Sequence, residues 1–285
     1  MQGNLETVDQ LNPRQYHLAV KKLADTLSYG TDRSPFLGSG IEYVQSRPYQ
    51  PGDSIRAMDW RVTARTGKHY VKEFEAPKRL SCFLLIDTSA SMMIGSWKRT
   101  KYAVAVHLAG ALGLACLERV SPVGVLGLGG KELQVKPSLS RQNILQWMHL
   151  LRTFRYDEPT LLSERISNLA PTLSSRAIIF VLSDLHDPEG IPALRLLAQK
   201  HEVVVLQLRD PAERGVVGAG FLRASEAETG KSFVTRSTRT WVDGVSIGRD
   251  LKRSGVDHLL IDIDTPFEAN LRHFLQSRNL LGRAR

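Results

Sequence analysis

The sequence predicts an α/β protein: an open, mostly parallel sheet with helices on both faces, carrying a small, mostly β subdomain ahead of it. Two observations lead there. From Ser81 onward, short apolar runs rich in Val and Ile alternate with helical stretches, the pattern of strands buried on both faces and joined by crossover helices. Between residues 30 and 80, Gly, Pro, Arg and aromatics mix instead with alternating pieces such as Ile41-Glu42-Tyr43-Val44 and His69-Tyr70-Val71-Lys72-Glu73-Phe74, the pattern of half-buried strands.

Taken in order, residues 1–30 are expected to form an N-terminal helix. Asn12 and Pro13 suit its N-cap and first position, an amphipathic stretch follows at 16–27, and Gly30 stops it. Residues 31–80 make the small β-rich subdomain. Residues 81–285 make the main domain, with strands expected at 82–86, 123–128, 132–135, 177–182, 203–208 and 256–263. Its helices are expected at 100–120, 143–154, 161–173, 191–200 and 268–280. The polar, Gly-containing stretch 211–240 reads as an insertion with a hairpin turn at Thr229-Gly230.

Composition bounds the function. A chain of 285 residues, 42% hydrophobic and 24% charged, is neither collagenous nor wholly disordered. The net charge of +9 turns attention to nucleic acid or an acidic partner. That excess is spread evenly, +3 in each of 1–80, 81–210 and 211–285, and no run of five like charges forms a polyanion-binding tail. Cys82 and Cys116 lie inside apolar runs without metal spacing and read as buried free thiols. Residues 1–10 lack the apolar core of a signal peptide. Residues 102–117 are uncharged but shorter than a membrane span, so they read as a buried core helix. A soluble cytoplasmic protein is expected.

The chemistry gathers at one strand end. In such sheets ligands collect beyond the carboxyl ends of the strands, where the strand order reverses. The first of these ends reads Phe83-Leu84-Leu85-Ile86-Asp87-Thr88-Ser89-Ala90-Ser91-Met92. Asp87, Ser89 and Ser91 put one carboxylate and two hydroxyls on a single turn, hard oxygen donors that suit Mg²⁺. Thr160, ahead of a helix, and Asp184, at the tip of a later strand, are placed to add a hydroxyl and a second carboxylate. Ordinary helix capping and turn formation are the plainer alternatives for these residues.

Asp87-x-Ser89-x-Ser91 with Thr160 and Asp184 resembles the metal-ion-dependent adhesion site of the von Willebrand factor A fold. Upstream, Gly38-Ser39-Gly40-Ile41-Glu42, Arg47-Pro48-Tyr49, Pro51-Gly52-Asp53-Ser54-Ile55-Arg56, Asp59-Trp60 and Ala64-Arg65 resemble the signature of the bacterial domain-of-unknown-function family 58. The resemblance runs from about residue 15 to at least 210. It implies a von Willebrand A-type domain with Mg²⁺, or another divalent cation such as Mn²⁺ or Ca²⁺, at Asp87, Ser89, Ser91, Thr160 and Asp184. It also implies a MoxR-type AAA+ ATPase as partner. A metal held by so few charges keeps a water position that a client's Asp or Glu can take, so the expected role is docking in protein assembly or maturation rather than catalysis.

Arg47, Asp53, Arg56, Asp59, Trp60 and Arg65 are either an internal salt-bridge network or a partner-binding surface. Residues 56–72, with Arg56, Arg61, Arg65, Lys68 and Lys72 interleaved with Trp60 and Tyr70, support RNA binding as a rival function. A metal-dependent hydrolase is a weaker rival, because no general base is evident near Asp87. Gly230-Lys231-Ser232 is not a phosphate-binding loop, since Ser225 stands where that motif needs glycine and the following residues look extended. Asp262 and Asp264 read as a sheet-edge pair, or else as a second cation site. No zinc spacing and no nucleophile elbow is present.

Overall fold

The computed structural model describes residues 2–4, 42–75, 80–93, 95–118, 120–130, 132–155, 158–187, 189–214, 221–225, 232–236 and 244–277. The chain divides into two units, one of residues 1–30 with 80–280, the other of residues 31–79 with 281–285. The expected N-terminal helix and Gly38 to Ile41 of the upstream signature lie outside the described residues, apart from a short strand, β1 (Gln2–Asn4).

In the smaller unit, β2 (Glu42–Pro48) runs antiparallel to β3 (Tyr70–Glu75), with Arg47 opposite Val71 and Pro48 opposite Tyr70. The expected β-rich character is only half of what lies there. Between the strands come a 3₁₀ turn at Ile55–Ala57 and a helix, α1 (Trp60–Thr66). Asp59 starts the helix by accepting the backbone N–H groups of Arg61 (3.1 Å) and Val62 (3.2 Å). Gly67, at φ 68°, ends it in the left-handed region where a side chain would be strained. Both signals were in the sequence, masked by the alternating pattern on either side.

The larger unit is built on a six-stranded sheet. In chain order its first elements are β4 (Ser81–Ile86), α2 (Ala90–Met93), α3 (Lys101–Glu118), β5 (Val123–Gly127), β6 (Gln134–Ser138) and α4 (Arg141–Leu151). After them come β7 (Thr153–Arg155), α5 (Leu162–Leu169), β8 (Ala177–Ser183), α6 (Gly190–Ala198), β9 (Glu202–Arg209), β10 (Phe221–Ser225), β11 (Ser232–Arg236), α7 (Gly244–Arg253), β12 (Asp257–Asp262) and α8 (Glu268–Ser277). The strand order is β12-β9-β8-β4-β5-β6, parallel except for β6, which returns antiparallel along β5 with an irregular register.

The hydrophobic runs account for this arrangement. Every residue of β8 and β5 is buried, as is all of β4 except Ser81, so each central strand needs cover on both faces. Helix α3 supplies much of it: its apolar residues are buried on nearly every side, including Tyr102, Val106, Leu108 and Leu112. It is long and apolar enough to cross a membrane, but 83% of that window is buried inside the protein. Each fully buried large side chain contributes about 1.5–3 kcal/mol. Cys82 and Cys116 are both free and buried.

Two expectations shift. Helix α4 stops at Leu151, and residues 153 and 154, expected in its last turn, belong with Arg155 to a strand that pairs antiparallel with β1. The helix expected at 161–173 is α5 followed by a 3₁₀ turn at Ala170–Thr172. Strands β10 and β11 pair antiparallel with Ser225 opposite Ser232, as a hairpin requires, although its turn lies outside the described residues.

Candidate metal centre

Chain order and sheet order part company at β4. Its crossover to β5 builds one half of the sheet, and β8, on its other side, begins the other half. This is the reversal point beyond whose strand ends such sheets bind ligands. Asp87 follows β4 and Asp184 follows β8. The two tips are clipped together by the Asp87 N–H, which donates to the Leu182 carbonyl at 2.9 Å.

The tip of β4 folds back on itself. The Ser89 N–H donates to Asp87 Oδ1 at 3.0 Å, and the Ser89 and Ser91 hydroxyls lie 3.1 Å apart. Asp87 and Ser89 are fully buried. From β8, the Ser183 hydroxyl donates to Asp87 Oδ2 at 2.5 Å while accepting the Leu185 N–H at 2.9 Å. Leu185 sits at φ 58°, a left-handed conformation that costs a bulky residue about 1–3 kcal/mol and marks a tightly specified turn. Burial first, and then the nearby charge of Asp184, push the Asp87 carboxyl up to about 6. No cationic side chain pairs with it among the described residues.

Thr160 arrives on a third segment. The Ala90 N–H donates to the Glu158 carbonyl at 2.8 Å, and the Thr88 hydroxyl donates to Glu158 Oε2 at 2.9 Å. Thr160 then pairs with Gly129 in an isolated bridge. A Cβ on Gly129 would lie 2.4 Å from Thr88 Oγ1, so only glycine permits this approach. The cap position of α5 falls on Leu161, one residue past Thr160, and the Ser163 N–H in the first turn of the helix donates to Asp187 Oδ2 at 3.4 Å.

Asp184 is 1% exposed and has a partner the sequence did not suggest. The Lys101 ammonium, also 1% exposed, donates to Asp184 Oδ2 at 2.7 Å and to Glu213, on a 3₁₀ turn after β9. Burial alone would raise the Asp184 carboxyl. The charges of Lys101 and His186, with hydrogen bonds from Lys101 and Ser91, hold it below the usual value instead. Asp184, His186 and Glu213 also bring ligand atoms within 4.8 Å of one another, with the Lys101 ammonium bonded to two of the three. Next to them Asp210 fastens the exposed 95–99 loop, accepting the Ser96 N–H at 2.8 Å together with its hydroxyl.

The structure thus gathers Asp87, Ser89, Ser91 and Asp184 and ties the Thr160 segment to them, while Thr88, Glu158, Ser183, Lys101 and Glu213 are additions. Lys101 did carry one signal. A lysine opening a helix opposes the helix dipole, and here it does so at the ligand-binding end of the sheet. As a donor set, the carboxylate and hydroxyl oxygens fit a hard divalent cation, and buried Asp87, without an ion-pair partner among the described residues, is the kind of group such a cation would neutralise.

The upstream residues behave differently. Arg47 clasps Asp53 with two hydrogen bonds of 2.8 Å each. Asp59 accepts the Ser46 hydroxyl at 2.6 Å as well as capping α1. Arg56 lies in the 3₁₀ turn. Trp60 is 62% exposed, and Arg61, Arg65, Lys68 and Lys72 are exposed beside it in sequence. Asp262 and Asp264 each face an arginine: Arg209 pairs with Asp262 at 2.7 Å, and Arg214 pairs with Asp264.

Comparison with known proteins places the chain. The model of the family described as "Protein of unknown function DUF58" matches residues 45–242. The uncharacterized protein Rv1480 of Mycobacterium tuberculosis is 29% identical over 222 residues, 76% of this chain and 70% of its own length. Mb1516 of Mycobacterium bovis, also uncharacterized, aligns to the same extent. The uncharacterized protein YeaD of Bacillus subtilis is 44% identical over 45 residues, 16% of this chain and 11% of its own.

Proposed function

The chain belongs to the DUF58 family, and from that membership and the strand-end geometry we propose that it is a non-catalytic, metal-dependent protein-binding module of the von Willebrand factor A type. The observation that carries the reading is the buried Asp87 carboxylate, without a cationic partner among the described residues, beside two hydroxyls 3.1 Å apart and a second carboxylate at the neighbouring strand tip. Asp87, Ser89 and Ser91 would hold Mg²⁺, with Thr160 and Asp184 contributing directly or through water. The bound ion would supply an open coordination position for a carboxylate from a client protein. The chain's own part is to hold these oxygens in place: Ser183 orients Asp87, Gly129 lets the Glu158 segment approach, and the sheet excludes water behind them.

The resemblance to proteins encoded beside MoxR-type AAA+ ATPases makes such an ATPase the proposed partner in assembly or maturation of a client, in the cytoplasm. Isothermal titration of Mg²⁺ should give a binding isotherm for the native protein and none for Asp87→Ala; equal binding by both would reject the site. An ATPase retained on immobilised protein after nuclease treatment and released by chelator supports the adaptor role. Retention unaffected by chelator counts against it.

RNA binding is a second reading, favoured by the exposed face of α1. Trp60, Arg61, Ala64 and Arg65 fall within less than half a turn of the helix and are all exposed. If phosphates dominate, affinity should fall steeply with salt and be weakened by Arg61→Ala.

A further inference from the structure

We propose that Lys101 is a built-in rival of the divalent cation: its ammonium neutralises Asp184 and so sets how tightly the strand-end site takes a metal ion. The inference rests on the metal-binding reading above. A lysine is almost never fully buried unless paired, and Lys101 is buried among carboxylates, bonded to Asp184 and Glu213. The charge of Asp184 that would draw a cation toward Asp87 is therefore already answered by a positive charge 2.7 Å away.

Glu213 makes the exchange feasible. Its side chain is 15% exposed and stands on the turn after β9, where it shares the Lys101 ammonium. When a divalent cation draws on Asp184, Lys101 keeps Glu213 as a partner, so no buried charge is left alone, the outcome that makes breaking buried pairs so costly. The other oxygen of Asp184 accepts the backbone His186 N–H at 3.3 Å, and Ser183, next to Asp184 in the chain, donates its hydroxyl to Asp87 Oδ2 at 2.5 Å. Lys101 and the metal thus compete for a group physically joined to the metal site. The neighbouring cations are committed elsewhere, Arg209 to Asp262 and Arg214 to Asp264.

Mg²⁺ and Mn²⁺ are titrated into the native protein, Lys101→Met and the double variant Lys101→Met with Glu213→Gln. Each is followed by calorimetry and by the shift in denaturation midpoint with metal. The double variant loses one charge of each sign, so the cluster keeps its net charge while Asp184 is released; it also provides the result should Lys101→Met alone not fold. Both variants should bind metal about tenfold more tightly than the native protein, with a larger stabilisation by metal. Native binding with no gain in either variant would overturn the role of Lys101 while leaving the metal site standing. Binding by none of the proteins would overturn the metal-binding reading, and this inference with it.

Discussion

Asp87 and Asp53 are carboxylates of the same kind in two polar clusters, and their surroundings drive them in opposite directions. Asp53 lies at the surface of the smaller unit, where the Arg47 guanidinium and the Gln50 N–H lower it to about 2. Asp87 lies under the tips of β4 and β8, where burial and the charge of Asp184 raise it to about 6. In the first cluster each acid has a local partner: Arg47 for Asp53, Ser46 and the start of α1 for Asp59. In the second, among the described residues one buried acid has no cationic partner, while Lys101 is bonded to its neighbour Asp184. A network complete in itself points to structure, and one left incomplete points to something that arrives from outside.

That contrast can be broken by substitution. Lys101→Met in the metal-free protein leaves two carboxylates uncompensated and should lower stability by about 3–5 kcal/mol in urea denaturation. Arg47→Met, at the surface, should leave the midpoint almost where it was. Equal losses would erase the distinction between the clusters.

Titration sharpens it. In chelator, the folded protein keeps a proton on Asp87 to about pH 6, whereas an ordinary carboxyl loses it near 3.8. The folded state therefore holds more protons across that window, and Asp87 should withdraw about 3 kcal/mol of stability as pH rises through it. Saturating Mg²⁺ should flatten this slope. Asp53, lowered to about 2, has the reverse sign: its stabilisation is present above 3.8 and is lost as pH falls toward 2. A stability profile from pH 2 to pH 8 for the native protein and Asp87→Asn reads the first effect, and the same profile for Asp53→Asn reads the second.

Smaller effects follow. Gly129→Ala puts a methyl against the Thr88 hydroxyl and should cost about 1–3 kcal/mol, with weaker Mg²⁺ binding, because it disturbs the segment that carries Thr160. Asp59→Ala removes the cap of α1 and should lower the denaturation midpoint slightly, with no change in the Mg²⁺ isotherm.

The two regions also differ in how far the sequence disclosed them. The central strands were legible because a run such as Phe83 to Ile86 has no polar face to offer water, so a strand covered on both sides is its natural state. The strand-end turn was legible because Asp87, Ser89 and Ser91 are adjacent in sequence. Lys101 was only faintly so: it borders the uncharged run 102–117, and its bonded partner Glu213 lies 112 positions away. Helix α1 was hidden for the opposite reason. Its Asp59 and Gly67 signals are purely local, but seven residues make too short a helix to show a clear period against the strands on either side.

Strand β6 has a consequence for the protein in a crowded cell. Among the described residues it is the outer strand on its side of the sheet, the position from which sheets extend into neighbouring molecules. Its pairing with β5 is interrupted by a register shift, Pro137 has no amide hydrogen to share, and Lys136 is exposed. A bulge, a proline and a charge each disfavour the addition of a further strand, so that edge is a poor template for fibrils or swapped dimers.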